Sequence, residues 1–112
     1  MPLDLSFFLL ALEQAADHAN GFNLAGLALV ESAWQSSLSA VRMFGWVIVL
    51  ATGQRLYLEM EVANAEGERS ADLEITHLPA DQRYPDELEN AVAWYRPDHI
   101  NRHLGLVRRF VH

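Results

Sequence analysis

The spacing of apolar positions changes along the chain, from a helical period near the start to a two-residue period in the middle. Leu5, Phe8, Leu9, Leu12 and Ala16 recur every three or four residues and mark one stripe of a helix. Asp4 or Ser6 caps it, and Asn20-Gly21 stops it, so its end falls near Ala16 or His18. Leu3, Phe7 and Leu10 form a second apolar stripe on another side. Only one of the two stripes faces the chain's own core; at roughly 25 cal/mol per Å², a symmetry mate favourably covers the other. A homodimer with Leu3, Phe7 and Leu10 at its contact is therefore expected.

From Leu24 onward, Leu27, Glu31, Trp34, Leu38 and Val41 again recur every three or four positions. They predict a second helix that ends near Met43 or Phe44, with Gly45 as its punctuation. Alternation over residues 22–30 is a competing strand pattern. Trp46 to Ala51 is continuously apolar and rich in β-branched residues, as a strand covered on both faces requires. After the turn Thr52-Gly53-Gln54, the pattern alternates: Leu56, Leu58, Met60 and Val62 inward, Arg55, Tyr57, Glu59 and Glu61 outward. A polar loop is expected over residues 64–70, then a third strand with Leu73 and Ile75 inward.

Past Pro79 the pattern becomes irregular. Tyr84-Pro85 and Arg96-Pro97 both disfavour helix before the proline. Between them the spacing of Leu88, Val92 and Tyr95 fits a short helix, and residues 91–95 alternatively fit a short strand. Pro97 suits the first turn of a last helix that buries Ile100 and Leu104. The expected fold class is α+β: two N-terminal helices, a three-stranded antiparallel meander and a short C-terminal helix, in a single domain over residues 1–112.

Composition narrows the function classes. With 112 residues and 51% apolar content, the chain can bury a core without metal or disulfide staples. The absence of cysteine excludes disulfides, thiolate zinc sites and thiol nucleophiles. Fifteen acids oppose eight bases, all of them arginine, so the net charge of −7 makes nucleic acid and anionic membranes unlikely partners for the molecule as a whole. Without lysine there is no Schiff-base residue. Glu13 and Asp17 interrupt the first apolar run, and no positive charge precedes it; a cytoplasmic protein with no membrane span is expected.

Four residue groups carry candidate chemistry. His99 and His103 lie one helical turn apart beside Asp98, a spacing that suits a divalent metal, with His77, His112 or a carboxylate to complete the set. Ile100 stands where a zinc-hydrolase helix of this spacing carries glutamate, so the hydrolytic motif is broken. Glu59 and Glu61 share the outward face with Asp72 and Glu74, where like charges repel. Arg96, Arg102, Arg108 and Arg109, with His99, His103 and His112, form the one basic stretch; it reads nucleic acid beside Tyr95 or Phe110, folds back over the acidic face, or is simply solvated. Tyr84, Trp94 and Tyr95, with Trp46, are candidates for a small-molecule pocket.

No phosphate loop, nucleophile elbow or dinucleotide fingerprint occurs. The expected function is that of a homodimeric binding or adaptor protein without catalysis. The alternatives are a metal- or ligand-binding enzyme built on His99, His103 and Asp98, and a nucleic-acid binder using the arginine-rich end.

Overall fold

Ten residues from Val41 to Leu50 form the central strand against which both layers of the fold pack. The computed structural model describes residues 3–18, 26–37, 40–65 and 68–110. Helix α1 (Leu3–His18) precedes four strands, β1 (Leu27–Ser37), β2 (Val41–Leu50), β3 (Arg55–Ala65) and β4 (Glu68–Leu78), and helix α2 (Asp98–Phe110) closes the order. The strands make one antiparallel sheet in the order β1-β2-β3-β4. The α+β class holds, with four strands instead of three and one N-terminal helix instead of two.

The second expected helix, over residues 24–43, is replaced by β1 and the start of β2. The physical reason is irregular pairing. The β1–β2 register slips between Leu27 and Leu29 and again between Val30 and Ser32, and each bulge inserts one residue into a two-residue period. Leu27 and Val30 consequently share the helix-covered face three residues apart, and Trp34, buried on the opposite face across from Gly45, adds an interval of four, so the buried positions imitate helical spacing.

The β2–β3 hairpin follows the expected pattern closely. Gly53 adopts a positive φ of 88° in the turn, a conformation that favours glycine. Phe44, Trp46 and Ile48 lie opposite Met60, Leu58 and Leu56, and all six are buried on one face of the sheet. The expected polar loop over residues 64–70 is shorter, since β3 runs to Ala65 and β4 begins at Glu68. Leu73 and Ile75 are half-buried against the same face as Leu58 and Met60.

Both helices pack on that face. α1 contributes Leu5, Phe7, Phe8 and Leu12, and α2 contributes Ile100 and Leu104. On a wheel of 100° per residue, the buried positions of α1 span an arc of about 160°, wider than a single stripe. The sheet covers this whole arc because its aromatics reach outward: Phe7 stacks on Phe44 at 4.5 Å between centroids, and Phe8 meets Trp46 edge-on at 5.4 Å. The premise of the expected dimer contact changes accordingly. Phe7 belongs to the chain's own core, Leu10 is half-buried against it, and the Leu3 side chain lies outside the described residues.

The opposite face is covered in part by the segment between β4 and α2. Val47, Tyr57 and Leu78 are buried there beneath Tyr84, Leu88 and Trp94. Tyr57 was expected to face outward into solvent. It does point away from the helices, but a second apolar layer receives it. Residues 85–95 are neither the expected helix nor the expected strand: a single 3-10 turn, Asp86–Leu88, is followed by an isolated bridge in which Tyr95 pairs with Ala33.

Candidate functional site

The edge of β1 and the 83–96 segment enclose the site. Tyr95 exchanges backbone hydrogen bonds with Ala33 in both directions, at 2.8 and 2.9 Å. Three residues back along β1, the Asn101 side chain of α2 accepts from the Val30 N–H at 2.7 Å and donates to the Val30 carbonyl at 2.9 Å. This amide does what a neighbouring strand would do, and so helps close an edge that otherwise invites pairing with another chain. It also holds α2 and β1 at a fixed separation beside the bulge.

The bulge at Glu31 directs its carboxylate toward Arg55 of β3. Arg55 Nε donates to Glu31 at 3.0 Å, and its two terminal nitrogens donate to the carbonyls of Gln82 and Arg83. Arg83 reaches the other oxygen of Glu31 at 3.9 Å and lies over the Tyr84 ring, 5.6 Å from its centroid. One arginine thus ties the loop after β4 to the sheet and positions Tyr84. Tyr84 in turn stacks on Trp94 with centroids 4.4 Å apart, and Trp94 meets Trp34 and Tyr57 edge-on.

These contacts leave a half-open cavity of about 400 Å³. Its walls are Leu29 to Ser32 of β1, Arg83 and Tyr84 of the loop, Trp94 to Arg96 before α2, and Asn101 of α2. The volume lies within the range that small-molecule sites occupy. Tyr84, Trp94 and Tyr95, which the sequence singled out, all line it, whereas Trp46 sits fully buried in the helix-covered core. Sequence reasoning missed Glu31, Ser32 and Asn101, and it assigned Arg96 to a basic tail. The adjacent Arg83-Tyr84-Pro85 and Arg96-Pro97 were the available signals, because a proline after a polar residue marks an ordered loop where such side chains are displayed.

Behind the cavity, polar side chains link the two helices. The buried Asp4 carboxylate accepts from the Tyr95 hydroxyl at 2.7 Å and pairs with His99 Nε2 at 2.9 Å. Burial and the neighbouring Asp4 charge both push the Tyr95 phenol above its ordinary range, so it remains a neutral donor. On the sheet side, Trp34 Nε1 donates to the Tyr57 hydroxyl at 3.0 Å, which donates to Glu59 at 3.2 Å.

The metal expectation is not assembled here. His99 Nε2 is taken by Asp4, Asp98 is exposed, and His77 Nδ1 is bonded to Gln54 Nε2 at 2.7 Å. No group of three or more His, Asp or Glu residues among those described is placed to hold a metal ion. His112 lies outside the described residues, as do the side chains of Arg108, Arg109 and Phe110. The described part of the basic segment does not fold back over the acidic face. Ile100 and Leu104 anchor α2 on the helix-covered side, while Glu59, Glu61, Asp72 and Glu74 occupy the other. The Tyr95 hydroxyl is held by Asp4. No helix among the described residues is long and apolar enough to cross a membrane.

The acidic pairs stand directly opposite each other, Glu59 against Glu74 and Glu61 against Asp72. Partial burial raises the Glu59 pKa from its ordinary 4.5; the bond from Tyr57 opposes the rise, and the charges of Glu74, Glu87 and Glu61 add to it. A carboxyl with a raised folded pKa binds more protons in the native state than in the unfolded state at pH values above its ordinary pKa. Its contribution to stability therefore falls as pH rises from about 4.5 through the raised value. Glu59→Gln is expected to be more stable than the wild type at pH 7, with the difference vanishing below pH 4.5. Urea denaturation at a series of pH values checks this, and a difference independent of pH would assign the effect to packing.

Comparison with protein-family models, with curated proteins and with solved structures finds no match to the chain. The class rests on its own geometry: an α+β domain with a four-stranded meander, helices on one face and an aromatic-walled cavity at the β1 edge.

Proposed function

We propose that this domain is a binding module and that the cavity between β1 and residues 83–96 receives a small molecule. The observation that carries this is the convergence of three separate stretches of chain on one half-open space with aromatic walls and polar groups at its rim. The supports of those walls favour a preformed site. Arg55 holds the loop through two donated bonds and β1 through a third, and Asn101 holds α2 against β1 through two. A ligand entering a preformed site avoids the entropic cost of ordering it.

A contact through Leu3, Phe7 and Leu10 is not part of this proposal, because Phe7 is already covered within one chain. An enzyme built on His99, His103 and Asp98 has less support than a binding role, because no group of three or more such residues among those described is placed to hold a metal ion.

The test uses the indole N–H signals of the three tryptophans in a nitrogen–proton correlation spectrum. A fragment library that includes anionic, neutral and cationic compounds is expected to yield ligands that shift Trp94 and leave Trp46 in place. Leu29, at the cavity rim, is 42% exposed. Leu29→Trp is therefore expected to abolish these shifts with the melting temperature nearly unchanged. A library in which no compound moves Trp94 would reject the binding role.

A further inference from the structure

We infer that the ligand of this cavity is a small organic anion, a carboxylate on an aromatic body. The inference rests on the binding role proposed above and adds the chemical class.

The polar atoms lining the cavity divide into those already engaged and those left to a ligand. The Asn101 amide is engaged at both ends by the Val30 backbone. The Tyr95 hydroxyl is held by Asp4, and Trp94 Nε1 donates to the Leu88 carbonyl at 3.2 Å. Glu31, the one acid in the lining, is paired with Arg55 at 3.0 Å and approached by Arg83 at 3.9 Å. What remains among the described residues is chiefly hydrogen-bond donors. Arg96 has no carboxylate partner there, Arg83 is 71% exposed with only the longer contact to Glu31, and the Ser32 and Tyr84 hydroxyls lie 3.5 Å apart.

Guanidinium groups donate hydrogen bonds and accept none, and the Ser32–Tyr84 hydroxyl pair, which shares one hydrogen bond, has one hydrogen left to offer. A ligand that satisfies these groups must accept hydrogen bonds and carry negative charge. The charge balance agrees. The chain carries fifteen acids against eight bases, yet the cavity lining carries two arginines against a single glutamate that is itself neutralised by a third arginine. The site thus reverses the sign of the molecule that holds it, and would attract anions that the acidic remainder repels. Arginine forks match the two oxygens of a carboxylate, and the Tyr84–Trp94 pair, stacked at 15° between ring planes, supplies an aromatic wall for a flat apolar body.

Benzoate, benzamide and benzylammonium share one ring and differ in charge, and acetate keeps the carboxylate without the ring. Titrated against the full chain at low salt, benzoate is expected to shift the Trp94 indole signal and to bind at least about tenfold more tightly than benzamide or acetate, with benzylammonium weaker still. Arg96→Gln, at an exposed position that leaves the fold intact, is expected to weaken benzoate about tenfold and benzamide little. Added salt is expected to weaken benzoate and acetate and to leave benzamide nearly unchanged.

Benzamide or benzylammonium binding as well as benzoate would overturn the anionic assignment while leaving the cavity a binding site. Equal binding of acetate and benzoate would overturn the aromatic part. A Trp94 signal unmoved by benzoate but moved by neutral library fragments would likewise overturn the class and spare the binding role. Silence toward all compounds removes both.

Discussion

Phe8→Ala is expected to destabilise the domain by about 3–5 kcal/mol, the range for truncating a fully buried phenylalanine. Phe8 has no exposed surface, lies mid-face on α1 and meets the Trp46 ring edge-on at 5.4 Å, with Trp46 itself fully buried. Removing the ring leaves a cavity between α1 and β2. Partial collapse is opposed because Phe7 remains stacked on Phe44 next to it. Domains of this kind hold roughly 5–15 kcal/mol in total, so the variant is left near the edge of stability. Urea denaturation checks this: the midpoint falls while the slope stays the same. A loss below about 1 kcal/mol would mean that α1 is not the main cover of this face.

Gly45→Ala is expected to cost about 3 kcal/mol, although it adds one methyl group in a strand where alanine is ordinarily tolerated. A Cβ at this position would overlap Trp34 Nε1 most closely and lie 2.6 Å from both the Tyr57 hydroxyl and Cε2 of Trp34. Neither neighbour is free to retreat. Trp34 Nε1 donates to Tyr57, Tyr57 donates to Glu59, and Trp94 packs edge-on against both rings. The melting temperature is expected to fall by on the order of 15 °C. Because the overlap is partly with the Tyr57 hydroxyl, Tyr57→Phe in the same background should recover part of the loss, giving a non-additive double-mutant cycle. Strict additivity would show that the strain lies elsewhere. Since Trp34 and Tyr57 support Trp94, the alanine variant should also shift the Trp94 indole signal before any ligand is added.

The two substitutions probe opposite faces of the same sheet, and the sequence disclosed those faces unequally. The helix-covered face was legible because its period is regular. Leu56, Leu58, Met60 and Val62 alternate without interruption, and α1 repeats its apolar residues over four turns. The second face was not, because its cover is a loop whose residues carry no period. Tyr84, Leu88 and Trp94 reach Val47 and Tyr57 only after the chain has turned through two proline-bounded segments. Three of the cavity aromatics could be suspected from residue type alone. Their partners Glu31, Ser32 and Asn101 could not, since a bulge in β1 and one hydrogen-bonded amide on α2 put them there.

By itself, the sequence determined the class of the fold, the β2–β3 hairpin, the limits of α1 and the start of α2 to within a few residues, and the acidic sign of the outer sheet face. Local rules suffice for these, because helix caps, turn residues and alternation act between near neighbours in the chain. Tertiary structure alone decided that residues 27–37 are a bulged strand, that Phe7 lies inside and that Asp4 meets His99 and Tyr95 more than ninety residues away. Those outcomes depend on which surfaces meet. A bulge disguises the period of a strand, and the wide arc of α1 becomes interior only when an aromatic-lined sheet curves against it.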